Sequence, residues 1–167
     1  GVVVGDPGSE ATEMGPLISA AHRESVASYI DGPTVAFRGT APDGPGFWFP
    51  PTVVLPNSPT DRSVTEEVFG PVVTVQAFED EADAIALAND SEYGLSGSIW
   101  TDNLSRALRV SRAVESGNLS VNSHSSVRYT TPFGGFKQSG LGRELGPDAP
   151  EHDTETKNVF FAIGEAP

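Results

Sequence analysis

The stretch Val72–Asn122, VVTVQAFEDEADAIALANDSEYGLSGSIWTDNLSRALRVSRAVESGNLSVN, decides the fold class. Val72 to Phe78 is rich in β-branched residues and reads as a strand. Asp80 can cap a helix running to about Asn89, with Ala84, Ile85 and Ala88 at helical spacing. Leu95 to Thr101 reads as a second strand. Asp102 or Asn103 caps a second helix, in which Leu104, Ala107, Leu108 and Ser111 form one stripe, and Gly117 is expected to supply a left-handed stop. Asn118 to Asn122 is a third strand. Strand, helix, strand, helix, strand in this order is a βαβαβ unit, whose crossovers make the strands parallel. The expected class is α/β: an open, mostly parallel twisted sheet with flanking helices.

Outward from this unit the pattern is less regular. Gly1 to Gly15 reads as a strand end and a turn-rich loop, with Gly5-Asp6-Pro7-Gly8 as punctuation. Ser19 is the expected N-cap of a helix through Ile30, with Val26, Tyr29 and Ile30 on its apolar side and Asp31-Gly32-Pro33 as its stop. Thr34 to Phe37 is a short strand candidate, and Trp48 to Leu55 is β-prone despite Pro50-Pro51. Downstream, Ser123 to Gly146 is glycine-rich and irregular, and Val159 to Ile163 is expected to form a last apolar strand. The division anticipated is a body over residues 1–147 and a tail over 148–167.

Composition narrows the function. Ten basic against 23 acidic residues give a formal charge of -13, the wrong sign for gripping nucleic-acid phosphates. No run approaches the roughly 20 apolar residues of a membrane span, and no signal-peptide pattern opens the chain. A cytoplasmic location is the default expectation. The chain contains no cysteine, so it has no disulfide framework, no thiolate metal site and no cysteine nucleophile. His22, His124 and His152 lack metal-ligand spacing, so no metal site is expected. Gly140-Leu141-Gly142-Arg143-Glu144-Leu145-Gly146 has its third glycine one place late for a dinucleotide loop, and reads better as a glycine-hinged turn entering a short helix.

Two places could carry chemistry. In Glu66-Glu67-Val68-Phe69-Gly70-Pro71 a carboxylate and an aromatic ring stand two residues apart, fixed by Gly and Pro just before a strand. They could offer an acceptor and an apolar face to one ligand; the alternative is a strand-entry turn with Phe69 in the core. The second is the loop from Asn122 to Phe133, which includes His124, Ser126, Arg128 and Tyr129. It leaves the carboxyl end of a strand, where ligands sit in open α/β sheets. Its alternative is an ordinary surface loop.

These motifs resemble the aldehyde dehydrogenase superfamily. Thr65-Glu66-Glu67-Val68-Phe69-Gly70-Pro71 and Pro132-Phe133-Gly134-Gly135-Phe136-Lys137-Gln138-Ser139-Gly140 are similar to two of its signatures, in order and at about the usual spacing. Thr12-Glu13-Met14-Gly15-Pro16-Leu17-Ile18 and Ser139 to Gly146 extend the likeness, which corresponds to the C-terminal part of the catalytic domain. The resemblance implies NAD or NADP as cofactor, with Glu67 at the nicotinamide ribose and Phe69 against the nicotinamide. It implies a substrate pocket lined by Phe133 and shaped by the loop holding His124, Arg128 and Tyr129. It also implies that Val159 to Ile163 is an oligomerisation strand. None of the family's catalytic set is present: its Cys, general-base Glu, oxyanion-holding Asn and cofactor domain all precede the matched region.

Three functions follow as expectations. The first is a family segment whose reaction, oxidation of an aldehyde to a carboxylic acid, needs a companion chain or domain carrying the Cys, this chain alone binding no cofactor. The second is a truncated homologue repurposed as a cofactor-independent enzyme, with His124, Arg128, Tyr129 and Glu67 as acid/base or charge-stabilising groups. The third is a non-enzymatic assembly module pairing through its last strand. A homo-oligomer, or a companion chain with the missing domain, is expected, with no nucleic-acid or membrane partner, and a small aldehyde or related small-molecule ligand.

Overall fold

A computed structural model describes residues 1–125 and 127–164, so Ser126 and the last three residues of the expected tail lie outside the described residues. The chain divides into two compact units, Gly1–Phe78 and Glu79–Pro167. Both mix helices with small sheets, and the fold class is α/β. Among the described residues no helix is long and apolar enough to cross a membrane.

In the first unit, helix α1 (Ala20–Ser28) starts where the sequence places it: the Ser19 hydroxyl accepts from the His22 amide at 3.0 Å. Strands β1 (Thr34–Arg38), β2 (Thr52–Leu55) and β3 (Val72–Thr74) form one sheet with β2 in the middle. β1 runs antiparallel to β2 with a register shift between Val35 and Phe37, and β3 runs parallel to it. Thr52 and Val54 of β2 are buried, as the two-residue period of a strand requires, while Leu55 at its end is exposed. Val26 of α1 and Phe49 complete the buried apolar set of this unit.

Strand β2 is shorter than its apolar run because Pro50, Pro51 and Pro56 have no amide to donate to a ladder. That brevity shortens β3 as well. Beyond Thr74 only the Val75 amide still reaches a partner, the Val54 carbonyl at 2.9 Å. The connection between β2 and β3 holds a single-turn helix that the sequence pattern does not announce, α2 (Arg62–Thr65). The Asp61 carboxylate organises its approach by accepting from the Asn57 and Ser58 amides, and the Thr74 hydroxyl donates to the Ser63 carbonyl at 2.7 Å.

In the second unit, α3 (Glu81–Asn89) is capped by Asp80, which accepts from the Asp83 amide, while Asp83 accepts from the Glu79 amide. Strands β4 (Tyr93–Gly94) and β5 (Ser96–Ile99) precede α4 (Leu104–Ala113), capped by Asn103. β6 (Asn118–Val121) then lies parallel to β5, so β5-α4-β6 is the expected βαβ unit. β7 (Phe136–Lys137) closes an antiparallel pair with β4. Glu81 ties the two helices by accepting from Arg109 at 2.7 Å and Arg106 at 3.3 Å. Asn89 ties their far ends: its side chain donates to the Ala113 carbonyl and accepts from the Glu115 amide.

Four expectations need correction. The βαβαβ run divides, because its first strand, β3, is paired with β2 in the first unit and only β5 and β6 continue as a parallel pair. Gly117 is not in the left-handed region; α4 ends at Val114 in extended conformation. Glycine is needed there for a different reason, since a Cβ at 117 would collide with the Gly134 carbonyl. Val159 to Ile163 is not a strand here: residues 154–164 carry no regular structure and are exposed, because an isolated segment has no ladder partner. Likewise the Gly140–Gly146 turn, with Gly140, Gly142 and Gly146 at positive φ, leads only to a 3₁₀ turn at Ala149–Asp153.

Gly117→Ala is expected to lower stability by about 1–3 kcal/mol through overpacking against a backbone that cannot retreat. Gly32→Ala, with open space around the added methyl, is expected to leave the urea midpoint nearly unchanged. Equal midpoints for the two variants would contradict this.

Candidate functional site

The segment Glu66–Pro71 lies along helix α1, and one face of that helix meets it at three successive points. His22 Nε2 donates to the Phe69 carbonyl at 2.8 Å. Val26, fully buried, sits so close to Gly70 that a Cβ there would come within 2.5 Å of its Cγ2. The Tyr29 hydroxyl donates to Glu66 Oε2 at 2.9 Å. Positions 22, 26 and 29 are the i, i+4, i+7 stripe of a helix, so the contact is a property of the helical period. The segment is also held at both ends: the Glu66 amide donates to the Arg62 carbonyl, and the Pro71 carbonyl accepts from the Thr52 amide of β2 at 2.8 Å.

Phe69 is in the left-handed region, with φ of 53°. For a bulky residue this conformation costs on the order of 1–3 kcal/mol, and it persists only where surrounding contacts impose it. Its consequence is placement: the Phe69 ring is 75% exposed, not in the core. Glu67, two residues earlier, is exposed as well. Both residues are therefore open to solvent, and Phe69 is not the core residue of a strand-entry turn.

Glu66 anchors the start of the loop. Arg62 donates to both its oxygens, from Nε at 3.1 and 3.2 Å and from Nη2 at 3.0 Å. The guanidinium also lies over the Tyr29 ring, 4.3 Å from its centroid. The Arg62 hydrogen bonds, and then the Tyr29 hydroxyl, hold the Glu66 carboxyl below the ordinary glutamate range. The Tyr29 phenol is pushed up, chiefly by its hydrogen bond to Glu66. The group is solvated, so its worth lies in geometry more than in energy.

The second candidate region belongs to the other unit. Asn122, also left-handed at φ of 53°, ends β6 and grips Thr101 with both amide atoms, accepting from its amide and donating to its carbonyl at 2.9 Å each. The loop then turns at Arg128 to Thr131, and the Tyr129 carbonyl accepts from the Gly146 amide at 3.1 Å. Phe133 is half-buried and exchanges two 2.7 Å backbone bonds with Glu144. His124, Arg128 and Tyr129 are all exposed. Arg128 donates to Ser125 Oγ and to the Val127 carbonyl. Among the described residues no hydrogen bond joins the side chains of His124, Arg128 and Tyr129. No group of three or more His, Asp or Glu side chains among the described residues could hold a metal ion.

Sequence reasoning gave no role to His22 or Arg62, put Tyr29 only on the apolar side of its helix, and named Glu66 only as part of the loop motif. The signal was present as spacing: 22, 26 and 29 on one helix face, and Arg62 and Glu66 four residues apart. What the spacing could not name was the partner.

The aldehyde dehydrogenase family model matches residues 1–159. The chain belongs to the aldehyde dehydrogenase family. It is similar to an aldehyde dehydrogenase of Emericella nidulans, 41% identical over 98% of this chain and 34% of the relative. A betaine aldehyde dehydrogenase of Brucella melitensis is 43% identical over 97% of this chain and 35% of the relative. Among solved structures, the betaine aldehyde dehydrogenase of Staphylococcus aureus in complex with NAD+ superposes with a TM-score of 0.84 at 42% identity, covering 90% of this chain and 32% of that one. The chain thus spans about a third of the length of the relatives it matches.

Because folding lowers the Glu66 proton affinity, the contribution of this group is present above the unfolded glutamate pKa and fades as pH falls through the folded one. In an NMR titration of side-chain carboxyl carbons, Glu66 is expected to titrate below the ordinary glutamate range, and Arg62→Ala to move its midpoint upward. An unchanged midpoint in Arg62→Ala would contradict the Arg62 assignment.

Proposed function

We propose that this chain supplies the nicotinamide-facing and aldehyde-facing walls of an aldehyde dehydrogenase that oxidises a small aldehyde to its carboxylic acid with NAD or NADP. The observation that carries the reading is the paired presentation of Glu67 and Phe69 on a loop whose backbone is held out of its relaxed conformation. The residues fit a nicotinamide nucleoside: a carboxylate accepts from the two hydroxyls of a ribose, and an exposed aromatic face covers a flat heteroaromatic ring. When bound, the cofactor supplies the acceptor for the hydride leaving the aldehyde carbon. Glu67 would hold the ribose, Phe69 would limit where the nicotinamide can lie, and Phe133 would line the aldehyde side.

The acidic charge of -13 is unsuited to a pyrophosphate, which needs positive partners from elsewhere in the enzyme. The cysteine that would attack the aldehyde must also come from elsewhere, since the chain has none. In this reading the chain alone turns over no aldehyde. Large exposed apolar side chains support a covering partner: Trp100 and Leu104 at the start of α4, and Phe160, Phe161 and Ile163 in the tail. The extended, exposed tail is suited to adding a strand to another subunit's sheet, which supports a homo-oligomer. The substrate relative favoured is a betaine-aldehyde-like small aldehyde, by similarity to the Brucella and Staphylococcus enzymes. A cofactor-independent acid/base enzyme gains no support from three exposed, unlinked side chains.

The test is a chimera joining this chain to the preceding two thirds of the Staphylococcus aureus enzyme. It is expected to form NADH from NAD+ and betaine aldehyde, whereas the chain alone forms none. Glu67→Gln and Phe69→Ala in the chimera are each expected to lower kcat/KM for NAD+ by about tenfold or more, the equivalent of ~1.4 kcal/mol. Unaltered kcat/KM in both variants, or NADH formation by the chain alone, would overturn the reading.

A further inference from the structure

Phe69 is a bulky residue in a conformation it does not favour, and one side chain holds the carbonyl that follows from that conformation. We propose that His22 is a positioning residue for the Glu67–Phe69 site: its Nε2–H bond to the Phe69 carbonyl fixes the left-handed backbone that turns the Phe69 ring outward. The functional importance rests on the cofactor-facing reading above; the structural coupling does not.

The proton assignment follows from the partners. A carbonyl oxygen only accepts, and a neutral imidazole has one donor and one acceptor nitrogen. With His22 Nε2 at 2.8 Å from the Phe69 oxygen, the donor must be Nε2. The opposite tautomer would set two lone pairs against each other at that distance. Nδ1 is then the acceptor, and it is buried without a hydrogen-bond partner. Leaving it so is unfavourable, and an apolar side chain at this position would avoid the cost. The Nε2–H bond is what the imidazole provides in return. The His22 ring also lies against the Phe69 ring, with centroids 6.4 Å apart and planes tilted by 51°, within the range of favourable aromatic contact.

Helix α1 fixes where that donor stands. The Ser19 cap starts the helix at His22's own amide, so the imidazole leaves from the first turn, the best-defined point of the helix relative to its cap. Val26 against Gly70 sets the approach of the loop, and Tyr29 on Glu66 sets its entry. Of the three contacts only the His22 bond acts on Phe69 itself. Val26 excludes a side chain at the next residue, and Tyr29 acts three residues earlier.

The experiment uses the isotopically labelled chain. At a pH where the ring is neutral, the two His22 nitrogen shifts report the tautomer, and a strong intraresidue amide–Hα NOE at Phe69 reports positive φ. The Nε2–H tautomer and a strong Phe69 NOE are expected in the wild-type chain. In His22→Ala the NOE is expected to drop to the level of neighbouring extended residues. His22→Gln, whose amide nitrogen can reach the same carbonyl, is expected to keep it, and His22→Asn, one methylene shorter, to lose it. An Nδ1–H tautomer in the wild type overturns the proposal whether or not the variants fold, as does a Phe69 NOE that survives in His22→Ala. Failure of the cofactor reading would show separately, as a chimera indifferent to Glu67→Gln, and would leave these signals unchanged.

Discussion

A single hydrogen bond, from His22 Nε2 to the Phe69 carbonyl, ties the first helix of the chain to an exposed functional candidate. Around it the physics is local and cumulative. A Ser hydroxyl caps the helix, the helical period brings three side chains to one face, and that face meets a loop whose glycine leaves room for a valine. The loop cannot relax toward the core because Val26 already occupies the space beside Gly70. The aromatic ring is thereby left outside, exposed as Glu67 two residues earlier is.

Much of the fold was legible because it depends on nearest neighbours. Ser19, Asp80 and Asn103 cap the helices expected of them, and the β5-α4-β6 unit appears with its strands parallel. What failed depended on partners far along the chain. Val72 to Phe78 has a strand's composition, but its length is set by β2, which three prolines cut short. The pairing of β3 with β2 rather than with β5 is a choice between partners that composition does not rank. Gly117 is not the left-handed stop its place after the helix suggests, since a sequence does not distinguish a backbone that must turn from one that must be approached. Val159 to Ile163 has an apolar strand's pattern without a strand, because a ladder requires a second edge.

The candidate site divides in the same way. The residue types in Glu67 and Phe69, and the family they point to, were readable from motif alone. Whether Phe69 faced the core or the solvent was not, because that rests on a backbone angle imposed by residue 22, forty-seven positions earlier. In the polar loop after β6 the residue types were readable, but not that Arg128 would bond to its own neighbours, Ser125 and Val127. A chain spanning a third of its relatives is expected to show walls of a pocket rather than the pocket. Its exposed Trp100, Phe160 and Phe161 are the corresponding surfaces on which further protein can pack.

The most direct test of the claim that α1 imposes this loop is a thermodynamic cycle in urea, comparing the cost of His22→Ala in the wild-type and Phe69→Gly backgrounds. Glycine takes positive φ without penalty, so in that background losing the imidazole forfeits the whole hydrogen bond. With phenylalanine present, the loop can relax and recover its strain. The account therefore predicts a smaller cost in the wild-type background, by about 1 kcal/mol. The His22–Phe69 ring contact biases the cycle the opposite way, so a lower cost is a signature of strain alone. A cost higher in the wild-type background than in the Phe69→Gly background would mean that only the ring contact couples the two residues and that His22 does not hold Phe69 in place.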